Sequence, residues 1–201
     1  PLALTQLIPQ TIIGEPLAIG HAGNDTIIGS EQNDILMGFA GNDFIVGNEG
    51  DDMLIGGTGN DELQGGAGND QIDGGTGNDQ IDAGAGDDNI SGGEGDDLIL
   101  GGAGDDTIQG GAGKDHILGQ AGDDIITGGE GNDLLNGGTG NDTFNVGQGI
   151  DTIIDDSGSS TINLPNTNPT TVTDPVVLDV LLDNPSMLDQ NAESLINLGL
   201  T

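Results

Sequence analysis

Between Gly20 and Ile154 an aspartate recurs every nine residues, fifteen times, without an insertion or deletion. The series is Asp25, Asp34, Asp43, Asp52, Asp61, Asp70, Asp79, Asp88, Asp97, Asp106, Asp115, Asp124, Asp133, Asp142 and Asp151. With blocks of nine starting at Gly20, this aspartate is position six. Position eight is then apolar in all fifteen blocks: Ile, Leu or, once, Phe144. Position four is Gly in fourteen, Gln32 being the exception, and position one is Gly in thirteen, the exceptions being Ala83 and Val146. A short fixed period of this kind constrains the fold more than any other property of a chain. No block can bury its apolar residue alone, so the blocks must stack as a solenoid.

Each block has two halves. The first six residues are Gly-rich and end in the carboxylate, which predicts a tight turn. The last three alternate around one apolar residue, the period of a short strand with one buried face. Stacked on the strand two blocks later, such strands make a parallel ladder with a spacing of about 4.8 Å. The expected fold is all-β: a right-handed parallel β-roll with two nonads per coil, two facing sheets, Gly-rich turns along both edges, and short non-repeat arms at both ends. Ile27, Leu36, Ile45, Leu54 and their successors would fill a thin core.

One buried Ile or Leu per nine residues does not offset the entropy of ordering a glycine-rich chain. The position-six carboxylates would also stack in columns and repel. A cation between successive turns removes both difficulties, taking carboxylate oxygens from stacked aspartates and carbonyl oxygens from the turns. An all-oxygen, flexible site of six or more ligands selects calcium. All fifteen position-six aspartates are therefore candidate ligands. If one ion sits between each aspartate and the one two blocks on, there are about thirteen sites.

The pattern Gly-Gly-x-Gly-x-Asp-x-apolar-x, as at Gly65–Asp73, resembles the RTX, or hemolysin-type, calcium-binding nonapeptide repeat. The resemblance covers residues 20–154. It implies a β-roll that binds calcium in its turns, export through a one-step secretion system, and folding only outside the cell. His21, Ser30, Phe39, Asn48 and Gln120 replace the second glycine of the pattern and Gln32 the fourth. Those turns are expected to bind less tightly, and Gly20–Asn48 is the most divergent stretch of the ladder.

Charge agrees with an ion-loaded roll. One Lys or Arg faces 35 Asp and Glu, a net charge of −34. Such a chain repels nucleic acid and anionic membranes. Thirteen calcium ions would supply +26 and leave −8, an ordinary charge for a soluble domain. Without ions, 40 glycines and this charge are the composition of a disordered polymer. Cysteine is absent, so no disulfide contributes. The chain opens at Pro1 with no basic segment and holds no apolar run long enough for a membrane span; it reads as processed or truncated, without a signal peptide.

Outside the repeats, residues 1–19 are apolar and nearly uncharged, and Thr11–Ile19 is a degenerate nonad with Pro16 in the aspartate position, expected to cap the first coil. Residues 155–164 make a last failing nonad, with Ser160 in place of Asp and Ile162 in the core position. Residues 165–201 hold a Pro-, Asn- and Thr-rich linker, a strand expected over 176–183, and an amphipathic helix expected over 186–198. This amphipathic tail, lacking Lys and Arg, also resembles the uncleaved C-terminal export signal of RTX proteins. Positions seven and nine should face outward. They are polar in the middle (Glu62, Gln64, Gln71, Asp73, Gln80, Asp82) but apolar near the start (Ile28, Ile35, Met37, Phe44, Val46, Met53, Ile55), with a weaker apolar set at Leu98, Leu100, Leu118, Ile125 and Leu134. Clustered outward apolar residues imply a cover, either the chain's own arms or another molecule.

Other motifs fail on inspection. Gly111–Asp115 approaches a phosphate loop, but Asp115 stands where Ser or Thr must hold magnesium, so it reads as one more turn of the ladder. His21 and His116 lie far apart in a chain without cysteine, which makes a poor zinc set. A glycosidase pair is disfavoured because no Trp or Tyr is present to stack a sugar and the aspartates repeat identically. An ice-binding row is broken, Thr-Gly-Asn occurring only at residues 58–60, 76–78 and 139–141. No enzymatic role is expected. Two functions remain: a secreted calcium-binding structural protein that assembles through its arms into a matrix, surface layer or filament as a homo-oligomer or polymer, or the folding and export module of a larger secreted toxin, protease or lipase.

Overall fold

A computed structural model describes residues 11–155, 158 and 160–163. The expected arm segments at 1–10 and 165–201, including the strand over 176–183 and the helix over 186–198, lie outside the described residues.

The described chain is all strand, without a helix. Strands alternate between two sheets. One holds β1 (Thr11–Ile13), β3 (Thr26–Ile28), β5 (Phe44–Glu49), β7 (Glu62–Ala67), β9 (Gln80–Ala85), β11 (Leu98–Ala103), β13 (His116–Ala121), β15 (Leu134–Thr139) and β17 (Thr152–Ile154), in that spatial order. The other holds β2 (Leu17–Ile19), β4 (Ile35–Ala40), β6 (Met53–Thr58), β8 (Gln71–Thr76), β10 (Asn89–Glu94), β12 (Thr107–Ala112), β14 (Ile125–Glu130), β16 (Thr143–Asn145) and β18 (Thr161–Asn163). Every pairing is parallel, and from β2 onward each residue pairs with the one 18 positions later, as in Ile90 with Ile108. Two nonads thus make one coil of a parallel β-roll, as the period requires.

The core is the position-eight column. Ile27, Leu36, Ile45, Leu54 and the rest, through Phe144 and Ile153, are all buried. Ala18 extends it into the cap, with Ile12, Val146 and Ile162 packed against its margins.

The strands are longer than the alternation indicates. From β4 to β15 each has six residues, taking positions seven to nine and then one to three of the next block, so the turn proper is only positions four to six. The Gly-Gly-x segment is strand rather than turn because the stack offers it partners: Gly93 pairs with Gly111 and Glu94 with Ala112. Pairing skips position one, and position two is held at positive φ, Gly75 at 107° and Gly93 at 119°. The strand is bent where no side chain resists, and its buried position-one residue faces the inside of the roll.

Both ends depart from the repeat. In the cap, Ile12 pairs with Ile27 only 15 residues on, because the turn Gly14–Pro16 is three residues shorter than a regular one. At the other end, β18 pairs with β16 and brings Ile162 over Phe144.

Candidate metal centre: two columns of buried aspartates

Successive coils place the aspartates in two columns. Asp25, Asp43, Asp61, Asp79, Asp97, Asp115, Asp133 and Asp151 follow one edge; Asp34, Asp52, Asp70, Asp88, Asp106, Asp124 and Asp142 follow the other. All are buried, most to 1–3% exposure. The turn puts them there because the backbone of each aspartate is pinned on both sides. Its carbonyl accepts the position-seven amide of the next coil, as Asp79 does from Leu98 at 2.9 Å. Its amide donates to the side chain of the next aspartate in the column: Asp70 to Asp88 Oδ1 at 2.7 Å, Asp79 to Asp97 Oδ1 at 2.8 Å. The chain of such bonds runs from Asp25 to Asp151 on one edge. On the other edge it ends where the Ser160 hydroxyl oxygen accepts the Asp142 amide at 3.0 Å. Ser160 replaces an aspartate in sequence but keeps one of its two roles.

From Asp43 to Asp142 the Oδ1, the amide and the carbonyl of each aspartate are thereby used. Oδ2 is not. In Asp43, Asp52, Asp61, Asp70, Asp79, Asp88, Asp97, Asp106, Asp115, Asp124, Asp133 and Asp142 this oxygen is buried and receives no hydrogen bond. Buried carboxylate oxygens are ordinarily satisfied, and leaving one bare is costly. Twelve in register imply a missing partner that is positive and not a hydrogen-bond donor of the chain.

Position one shows where that partner fits. A β-carbon added to Gly74 would lie 2.6 Å from Asp79 Oδ2 and 2.6 Å from the Gly92 carbonyl oxygen of the next coil. At Gly56 the same two oxygens, from Asp61 and Gly74, would lie at 2.5 and 2.6 Å. Glycine leaves open a point on which a carboxylate oxygen and a carbonyl oxygen converge. Among the described residues no three His, Cys, Asp or Glu side chains gather around a common point, so a cation here draws on backbone oxygens as well as carboxylates. Hard oxygen donors of this sort suit calcium.

Electrostatics point the same way. Burial pushes the Asp97 and Asp106 carboxyls up to about 7, with neighbouring aspartates of the column adding to the rise. Burial likewise raises Asp52, Asp61, Asp70, Asp88, Asp115 and Asp124 to about 6. Asp43, Asp79, Asp133 and Asp142 are raised for the same first reason. The amide bonded to Oδ1 pulls in the opposite direction in every case and does not win.

A family model described as the RTX calcium-binding nonapeptide repeat matches residues 19–54, 46–81, 55–90, 82–117, 91–126 and 118–153, together spanning 19–153. The chain belongs to the RTX calcium-binding nonapeptide repeat family. No curated protein matches it. RTX repeats bind calcium, and their roll is a structural calcium-binding fold rather than a catalytic one.

The RTX roll also carries a feature the period of aspartates conceals. Position five is Asn or Asp in thirteen blocks. These side chains form a second ladder on the outside of each edge, running against the first. Here the later amide donates to the earlier side chain: Asn78 to Asn60 Oδ1 at 3.0 Å, Asp105 to Asp87 Oδ1 at 3.0 Å. On one edge it stops at Lys114, whose amide donates to Asp96 Oδ1 at 2.8 Å but whose side chain has no acceptor to offer onward. It resumes with the Ile150 amide on Asn132 Oδ1. The sequence displayed this run plainly; its meaning depends on knowing that position five lies directly under its counterpart one coil away.

His21 sits beside Asp25 in the first turn, and His116 starts β13 on an outer face.

Proposed function

We propose that the chain is a secreted calcium-binding structural protein whose RTX roll folds on calcium. The bare Oδ2 atoms of the position-six aspartates supply the side-chain ligands, joined by position-one carbonyls across the gaps between coils. Thirteen such gaps separate one aspartate from the next in its column. The observation that carries this reading is the row of twelve buried Oδ2 atoms without a donor. Calcium supplies the charge that lets these carboxylates stand stacked and ionised, and the binding free energy becomes folding free energy. For an extracellular module the working range is roughly 0.1–1 mM calcium. A calcium titration followed by far-UV circular dichroism tests it: β-structure should appear with calcium. A native β spectrum in excess chelator would sink the proposal.

The structural role includes self-assembly. The β1 and β2 end of the roll exposes large apolar groups, Ile13 at 64%, Leu17 at 56% and Phe39 at 52%, together with Ile19 and Ile35. Outer strands of a sheet recruit further chains unless blocked, and head-to-tail contacts propagate into fibres. The segments beyond the described roll, residues 1–10 and 165–201, are the ones we propose to cover this patch, on the same subunit or the next. Removing 1–19 or 176–201 should abolish polymers while calcium-dependent folding persists. A full-length chain that stays monomeric in light scattering with calcium at high concentration would instead favour the export-module reading, in which the roll folds outside the cell for a larger secreted protein.

A further inference from the structure

Resting on the calcium reading above, we infer that the first two turns of the ladder, at Asp25 and Asp34, hold no cation: their carboxylates are closed by the chain's own position-two amides, and the calcium ladder begins at Asp43. The His21 amide donates to Asp25 Oδ2 at 2.7 Å, and the Ser30 amide donates to Asp34 Oδ2 at 2.5 Å. The Ser30 hydroxyl lies 3.2 Å from Asp34 Oδ1 and 3.1 Å from Asp34 Oδ2. The oxygen that is bare in Asp43 through Asp142 is therefore engaged in these two. The carboxylate and carbonyl oxygens converge beside Gly20 and Gly29 as they do in the interior, at 2.7 and 2.6 Å from an added β-carbon, but here Oδ2 already receives an N–H, whose positive end competes with a cation for it.

Residue type at position two does not explain the difference. Phe39, Asn48 and Gln120 are not glycine either, yet they stand at φ 78°, 85° and 79°, within the left-handed region that glycines occupy at the same place in regular turns. Non-glycine residues enter that region only when their surroundings impose it. Here the imposing element is the stack: Phe39 pairs with Gly57 and Asn48 with Gly66 in six-residue strands. His21 and Ser30 follow the three-residue strands β2 and β3 and lie outside strand pairing. The His21 carbonyl still accepts the Ala40 amide at 3.4 Å and Ala22 bridges to Ala40, but neither position two has a strand partner holding it at positive φ, and the amide folds back onto the carboxylate of its own turn.

Asp34 adds an independent sign. Its Oδ1 would receive the amide of the residue 18 positions earlier, which is Pro16 and has none. The Ser30 hydroxyl takes the vacant place. At this end the chain supplies locally what the interior obtains from the next coil and a cation. Of the thirteen gaps, two are thus closed by hydrogen bonds and eleven are left for calcium between aspartates. Asp142 Oδ2 faces a final gap of different composition, under Asp155 and Ser160.

The test is calcium stoichiometry of the full chain by native mass spectrometry and calorimetry, for the parent and for Asp25→Asn, Asp34→Asn, Asp43→Asn and Asp52→Asn. Asparagine keeps an oxygen acceptor and removes the charge, and circular dichroism with calcium checks that each variant retains the roll. D25N and D34N should bind as many ions as the parent, while D43N and D52N each bind at least one fewer. Loss of an ion from folded D25N or D34N overturns the assignment and leaves the ladder standing. A parent chain that binds no calcium overturns both. If D43N or D52N fails to fold at any calcium level while D25N and D34N fold with the parent's stoichiometry, the assignment is upheld, since only the later turns then depend on the carboxylate charge.

Discussion

The coils before residue 56 and those from 56 to 94 share one backbone and are held by different means. In the middle, the outward positions are polar: Glu62 and Gln64 on β7, Gln71 and Asp73 on β8, Gln80 and Asp82 on β9, Asn89 and Ser91 on β10. Within each of these strands only the position-eight residue and the glycine or alanine at position one are buried. Near the start, Ile28, Met37, Phe44, Val46, Met53 and Ile55 are all half-buried on the outer faces, and two aspartates are satisfied by amides. The β-roll is thus a geometry that either apolar packing or stacked ions can sustain. The first operates without charge, and the second allows a polar surface at the cost of needing calcium.

The largest effect should come from removing calcium. In excess chelator the middle coils lose the partner of every Oδ2, and their slim core cannot compensate. Hydrogen exchange should show protection lost throughout β7 to β10, with β3 to β5 retaining more of theirs. Equal protection in both regions would break the comparison.

Next in size is removal of one carboxylate. Asp88→Ala deprives the Asp70 amide of its acceptor and takes one oxygen from the gap above. An unsatisfied buried amide alone costs about 1–3 kcal/mol. Because Asp88 is bonded to the coils on both sides through Asp70 and Asp106, the calorimetric calcium titration of this variant should lose ions and cooperativity together. Asp34→Ala, at an end turn closed by Ser30, should lose stability but keep the cooperativity of the remaining ladder. The same loss of cooperativity in both variants would mean that the end turn belongs to the calcium system after all.

Much of this was readable in the sequence. The invariant spacing of Asp25 to Asp151 dictates a stacked coil, and an apolar residue two places on dictates which face is inside. The strand length was not readable, because Gly-Gly-x has turn composition and becomes strand only where a second Gly-Gly-x lies beside it, as Gly93 lies beside Gly111. Nor were the two carboxylate oxygens distinguishable. That Oδ1 is used by an amide and Oδ2 is left bare depends on contacts 18 residues apart. The departures His21 and Ser30 were visible as weak turns, but their closed carboxylates were not, since Phe39 and Asn48 look equally irregular and behave as regular turns.

A third, smaller effect concerns pH. A carboxyl raised in the folded, calcium-free roll binds its proton more tightly folded than unfolded. It therefore favours folding below the ordinary value of 3.8, and that contribution is lost as pH rises through about 6 for Asp61, Asp70 and Asp88 and about 7 for Asp97 and Asp106. Two results of opposite sign follow. In chelator, acidification through that window should return β-structure to the middle coils. With calcium, the same protons compete for Oδ2, so apparent affinity should fall between about pH 8 and about pH 5.5, where carboxyls of ordinary pKa stay ionised. Calcium affinity that is flat across this range would mean that the columns are not the binding groups.

The smallest effect should come from the one small irregularity in the middle of the ladder. Ala83 stands at position one, where the neighbouring blocks have Gly74 and Gly92, and it is fully buried. At Gly74 an added β-carbon would meet Asp79 Oδ2 and the Gly92 carbonyl oxygen at 2.6 Å each. By the repeat, the Ala83 methyl occupies the corresponding space beside Asp88 and below Gly101. A methyl there takes the volume a cation would use and turns an apolar surface toward two oxygens. Ala83→Gly should therefore tighten calcium binding at this gap. It also adds backbone entropy to the unfolded chain, roughly 0.4–1 kcal/mol against folding, so the two effects oppose each other and appear in different measurements. Stability in saturating calcium should change little, while the midpoint of the calcium titration should move to lower concentration. A midpoint that moves upward would show that the methyl stabilises by packing and that the ion lies elsewhere in the turn.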